Sequence, residues 1–175
     1  MLILDRIPKL AWSTALLTAV TAATAGVAPA KSAAASCSAS GARDELHALL
    51  CLVNRTRTEH GLPELRESVR LDQSSLLRAL AIRRCAQLSH TACGQPFDDV
   101  FARVGYPSRA IAENLAWGGG YLGSPARTVA AWWGSAPHRR NLLGPWRDVG
   151  AAVVHADRLF GARDVTIWVL QLGRP

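Results

Sequence analysis

Four cysteines, Cys37, Cys51, Cys85 and Cys93, all stand behind a run of 21 uncharged residues at positions 10–30. Those two features together most narrow what the chain can fold into. Asp5, Arg6 and Lys9 precede the run, and two small-residue sites, Ala28-Pro29-Ala30 and Ala33-Ala34-Ala35, follow it. That order is the one a cleaved secretory signal takes. The expected organisation is therefore a signal peptide over residues 1–35 and one extracellular domain over residues 36–175, with no stable membrane span after cleavage. An uncleaved anchor is the rival, since 21 residues just reach across a bilayer, but a run so rich in Ala and Thr is weakly apolar. An even number of cysteines in an exported chain favours disulfides. No C-x-x-C pair is present to favour a thiolate zinc site.

The residues beyond position 35 are enough for one domain with its own core. They carry 17 Arg and no Lys against 12 acidic residues. The arginines are spread from Arg43 to Arg174 without a long run or interleaved aromatics, so a nucleic-acid partner is not expected. A solvated basic surface is the simpler reading. Adhesion to an anionic wall polymer rests on net charge alone and would weaken steeply with salt.

Hydrophobic periodicity predicts a helix over residues 43–60, with Leu46, Leu49, Leu50 and Val53 on one face and Gly61 at its stop. A second helix is expected from about Asp72, as N-cap, to Leu88, burying Leu76, Leu77, Leu80, Ala81, Cys85 and Leu88. A short helix follows Pro96, and residues 111–117 read as extended, ending in a flexible glycine run at 118–120. Ser124-Pro125 reads as an N-cap with Pro at the first helical position. The helix it opens buries Val129, Trp132 and Trp133. Residues 149–155 and 165–171 form an antiparallel hairpin across a polar loop at 157–164. The fold class is α+β, a three-layer α-β-α sandwich around a small antiparallel sheet.

Three polar clusters fall on expected turns or strand edges: Ser89-His90-Thr91, Ala112-Glu113-Asn114-Leu115, and the turn from Ser135 to Leu143 that holds His138. A Cys85–Cys93 bridge would close a short loop around His90 and leave Cys37–Cys51 to tie the N-terminal lead to the first helix. Such a loop contributes about 2–3 kcal/mol in the chain-entropy model. Glu113 lies among Ile111, Leu115 and Trp117, so its carboxylate needs a partner such as a cation or backbone N–H groups.

Taken in order, these clusters resemble the CAP superfamily (cysteine-rich secretory, antigen 5 and pathogenesis-related proteins; the SCP domain). The residues that carry the likeness are Ser-His-Thr at His90, Glu-Asn-Leu at Glu113, and Trp132-x-x-Ser-x-x-His-Arg-x-Asn-Leu-Leu through His138. Leu52-Val53-Asn54-Arg55 with Gly61-Leu62-Pro63-x-Leu65, and the closing strands with Trp168 and Gln171, extend it over residues 43–173. The resemblance implies a three-layer sandwich with an open cleft and a tetrad of two His and two acids. In some members the histidines hold zinc or another divalent cation. Here the histidines fall on His90 and His138 and one acid on Glu113, while the second acid is replaced near Ser135.

The functional expectation is a secreted, non-enzymatic, monomeric binding module. Its cleft would take a divalent cation such as zinc through His90 and His138, or an extracellular or cell-envelope ligand, with lipids and sterols suggested by other members. The alternative is a metal-dependent hydrolase or peptidase with Glu113 as base. No G-x-S-x-G elbow or H-E-x-x-H motif is present. Arg139 and Asn141 are read as ties for their turn and Trp132 and Trp133 as core. His47, His60 and His155 show no partner by spacing.

Overall fold

A computed structural model describes Cys37 and residues 42–175, so the expected signal segment lies outside the described residues. Helix α1 (Ala42–Glu59) leads to a two-residue strand β1 (Arg66–Glu67) and helix α2 (Val69–Cys85). A short helix α3 (Asp99–Arg103) precedes strand β2 (Ala110–Gly119). Helices α4 (Pro125–Gly134) and α5 (Ala136–Leu142) then lead into the long strands β3 (Asp148–Leu159) and β4 (Ala162–Arg174). The sheet order is β1-β3-β4-β2, which puts β2 at an edge. β3, β4 and β2 pair antiparallel, but β1 pairs parallel with β3, so the expected purely antiparallel sheet gains a short parallel edge. Two residues carry too little periodicity for that strand to show in the sequence.

Alternation along the strands sorts the two cores. Val149, Ala151, Trp168, Leu170 and Leu172 face α1, α4 and α5, where they meet Leu49, Val53, Val129, Trp132 and Leu142. Ala152, Val154, Val165, Ile167 and Val169 face the other way, toward Ala79, Ala81 and Ile82 of α2. This is the expected α-β-α layering, built on the period-two geometry of strands. Both expected disulfides are present, Cys37–Cys51 and Cys85–Cys93, with Cα separations of 5.6 and 5.5 Å.

Several local expectations are corrected. α2 begins three residues before Asp72, with Ser68 in the cap position, and ends at Cys85 because Ala86 takes a left-handed conformation. Asp72 instead accepts the Ala151 N–H at 3.0 Å, tying α2 to β3, and burial pushes its pKa up to about 6. The leucines expected inside are outside: Leu76, Leu77, Leu80 and Leu88 are exposed, while Leu71, Ser74, Ser75, Arg78, Ala79 and Ile82 are buried. The hairpin loop shrinks to Phe160-Gly161, both at positive φ as a two-residue turn requires, and the strands extend through the expected loop. Gly118 and Gly119, expected in a flexible run, belong to β2; a Cβ on Gly118 would strike the backbone of Leu122 and Gly123. α3 starts three residues after Pro96. Pro125 does open α4, but Ser124 occupies the cap position without a side-chain cap bond.

Candidate functional site

The site forms where the two helical layers meet at the β2 edge. Consecutive residues of a strand point to opposite faces, so Glu113 turns toward the α2 layer and Asn114 toward the α5 layer. On the α2 side, Glu113 lies directly across from Gln171 of β4. Gln171 Nε2 donates to Glu113 Oε2 at 2.8 Å, and Ser74 of α2 donates in turn to the Gln171 amide oxygen. Arg78, also on α2, places Nε 3.4 Å from the same Glu113 oxygen. Its Nη2 donates to the Phe97 carbonyl at 2.8 Å. Glu113, Arg78, Gln171 and Ser74 are all buried. The other carboxylate oxygen, Oε1, bonds His90 Nδ1 at 2.8 Å. The buried carboxylate therefore has the cationic and hydrogen-bonding partners its burial demands.

His90 arrives from the loop after α2, inside the Cys85–Cys93 bridge, and half its side chain is exposed. Its ring meets Phe97 edge-on. A cavity of about 360 Å³ opens there, lined by His90, Phe97, Ala112, Glu113 and Asn141.

On the opposite layer, the segment expected to be a turn is helix α5, so His138 sits in a helix. Pro137 falls in the first turn of α5, where its missing N–H has no consequence. Asn114 Nδ2 donates to the His138 carbonyl at 3.1 Å. Asn141 Nδ2 donates both to Asn114 Oδ1, at 2.9 Å, and to the outward carbonyl of Glu113, at 3.3 Å. Trp132 Nε1 donates to the Leu115 carbonyl. Glu-Asn-Leu is thus a hinge plate: the Glu serves one layer, the Asn and the Leu carbonyl anchor the other. His138 Nδ1 bonds Ser135 Oγ at 2.9 Å. Burial, with His90 nearby as the smaller cause, pushes the His138 pKa down.

His90 and Glu113 are therefore in direct contact, with His138 close by but not on the cavity wall. Among the described residues no group of three His, Cys, Asp or Glu side chains is placed to hold a metal together. Arg139 donates to the Trp133 carbonyl, and Asn141 ties α5 to β2 as expected. Trp132 is buried, while Trp133 is half-buried against the His60 ring and the Arg139 guanidinium. His155, which showed no partner by spacing, bonds Thr166 and lies 3.1 Å from a Glu45 carboxylate oxygen. His60 bonds the Thr56 carbonyl, and His47 lines a separate surface pocket. Sequence reasoning missed Arg78, Ser74 and Gln171 as members of the site. The one signal was Arg78 at helical spacing from Ser74 and Ser75 on one face of α2, and Gln171 on β4 carried none.

Compared by sequence with individually curated proteins, the chain matches none. Among solved structures it is similar to an outer surface protein of Borrelia burgdorferi, with a TM-score of 0.65 and 18% identity, over 77% of this chain and 96% of that one. It also resembles an SCP-domain-containing extracellular protein of Bacillus anthracis (TM-score 0.63, 18% identity) and a cysteine-rich secretory protein of Staphylococcus aureus (TM-score 0.59, 16% identity). Those two matches cover 76% and 75% of this chain but only 41% and 39% of the other proteins. The family model of the cysteine-rich secretory proteins matches residues 50–172, from the middle of α1 to the end of the β4 core. With that match and the shared α+β sandwich, the chain belongs to the cysteine-rich secretory protein (CAP) family.

Proposed function

We propose that this protein acts outside the cytoplasm as a non-enzymatic binding module, whose His90–Glu113–His138 site takes a divalent cation. The observation that carries the reading is the orientation of the two imidazoles. Each has Nδ1 engaged, His90 by a buried carboxylate and His138 by a serine hydroxyl, and no hydrogen bond among the described residues reaches either Nε2. The Glu113 carboxylate can only accept, so His90 carries its proton on Nδ1 and presents Nε2 as a lone pair, which is how metal-binding imidazoles are held; the Ser135 hydroxyl orients the His138 ring with its Nε2 likewise unengaged.

Glu113 argues against the hydrolase or peptidase reading. One of its oxygens is taken by His90 and the other by Arg78 and Gln171, so neither is free to serve as a base. Two imidazoles also fall short of the three protein ligands usual for catalytic zinc. A small ligand of lipid or sterol class is the second reading, favoured by Phe97 and Ala112 on the cavity wall.

Calorimetric titration of Zn²⁺ into the full chain tests the first reading. Binding is expected near neutral pH and should be lost in H90A/H138A, with the fold retained by circular dichroism. E113Q should weaken it less, since both nitrogens remain. Coordination needs neutral imidazoles, so affinity should fall as pH drops through the histidine range, with the depressed pKa moving the His138 share of that loss to lower pH. Unchanged zinc affinity in the double variant would reduce the pair to structural histidines.

The extracellular location rests on the uncharged leader and its cleavage sites. It agrees with the surface or extracellular descriptions of the Borrelia and Bacillus proteins. N-terminal sequencing of the protein recovered from culture medium should begin near Lys31 or Ser36. A membrane-bound product with Met1 intact would mean the segment stays as an anchor.

A further inference from the structure

Helix α2 turns to the sheet a side built of small and polar residues, and this leaves its leucines facing out. Val69, Leu76, Leu77 and Leu80 are 70%, 44%, 37% and 38% exposed, and the spacing of Val69, Leu76 and Leu80 keeps them on one stripe of the helix. Contiguous exposed apolar surface rimmed by polar groups is the kind that marks interaction sites. The same outward side carries Arg70, Arg83 and Arg84 and no carboxylate: Asp72, the single acid of α2, is engaged by the Ala151 N–H. Among the described residues no ion pair neutralises Arg83 or Arg84, whereas Arg103 beside them is bonded to Asp99. At this end of α2 a cavity of about 490 Å³ is lined by Leu77, Leu80, Arg83, Arg84 and Arg103, so apolar surface and guanidinium groups share one hollow.

The chemistry of the occupant follows from that juxtaposition. A second copy of the chain across a two-fold axis would set the same unpaired arginines against one another, because such an interface is self-complementary. A nucleic acid would answer the arginines and leave the leucines wet. An anionic phospholipid answers both: apolar side chains of a helix lying flat enter the headgroup–acyl boundary, while arginines meet the phosphates. We propose that the outward face of α2 docks this protein on an anionic lipid surface, with Leu76, Leu77 and Leu80 inserted and Arg83 and Arg84 on the phosphates. This surface is independent of the imidazole site.

The test is co-sedimentation of the full chain with vesicles of phosphatidylcholine alone or with about a third phosphatidylglycerol. Binding is expected to the anionic vesicles only, and to weaken as salt is raised. R83E/R84E and, separately, L76S/L80S should each reduce the bound fraction about tenfold or more, given the worth of each basic residue and each buried apolar side chain at such a surface. These positions are exposed, so both variants should keep the wild-type melting temperature. Because the leader can itself touch lipid, the readout is the difference between wild type and variants. Equal binding of wild type and both variants would overturn the proposal, as would equal binding to neutral vesicles. A wild-type dimer that L76S/L80S converts to monomer would assign the face to a second copy instead.

Discussion

R78M should lower the unfolding free energy by about 3–5 kcal/mol, the usual consequence of removing one partner from a buried ion pair. The guanidinium of Arg78 is fully buried, and besides Glu113 it holds the carbonyls of Pro96 and Phe97, so it joins α2 to the segment behind His90. Methionine fills similar volume but leaves Glu113 with Gln171 and His90 alone. Urea denaturation of the full chain measures the loss. R78M/E113L, which removes both charges, should recover a large part of it, because two apolar groups of matched size can replace a buried pair at little cost. A loss below about 1 kcal/mol in the single variant would show that the pair contributes no more than an exposed one. The variants also separate stability from binding: in R78M, His90 keeps its carboxylate partner, so zinc affinity should survive where the melting temperature does not.

G150A should be as damaging, for a reason that involves no charge. Gly150 sits in β3 where α2 crosses closest, and a Cβ there would overlap the carbonyl carbon of Leu71 and the amide nitrogen of Asp72. Those are backbone atoms of a helix held by the Ser75–Gly150 and Asp72–Ala151 hydrogen bonds, so no side-chain rotation relieves the clash. The whole helix must lift, which should cost about 3 kcal/mol or more, at the upper end for overpacking. Thermal denaturation followed by circular dichroism reads it directly. A near-native melting temperature would mean that α2 is free to slide outward on the sheet.

These two positions also explain which parts of the fold were legible in the sequence. The hydrophobic runs of α1, β2, β3 and β4 announce themselves because each buries one continuous face against the sheet or within it. α2 misleads because it has two candidate faces, one of leucines and one of Ser74, Ser75, Arg78 and Ala79. Periodicity selects the leucines, yet close approach to Gly150 demands small side chains on the sheet side, and the carboxylate of Glu113 demands the arginine there. Neither requirement is local in sequence. The imidazoles and Glu113 were legible because they sit in short ordered motifs. Ser74 and Gln171 were not, since they matter only through the register that sets Gln171 opposite Glu113. Likewise, α5 reads as a turn because Gly134 and Pro137 break the helical pattern, although Pro137 in fact occupies the first turn of a new helix.

The two disulfides divide their labour. Cys37–Cys51 fastens the N-terminal lead to α1, far along the chain from any group of the imidazole site, whereas Cys85–Cys93 encloses His90. His138, by contrast, is held entirely by hydrogen bonds through Ser135, Asn114 and their neighbours, which no reductant touches. One imidazole thus has a covalent loop closure beside its Glu113 contact, and the other has no disulfide around it. Reduction should therefore loosen the loop that carries His90 while leaving the hydrogen bonds of His138 in place.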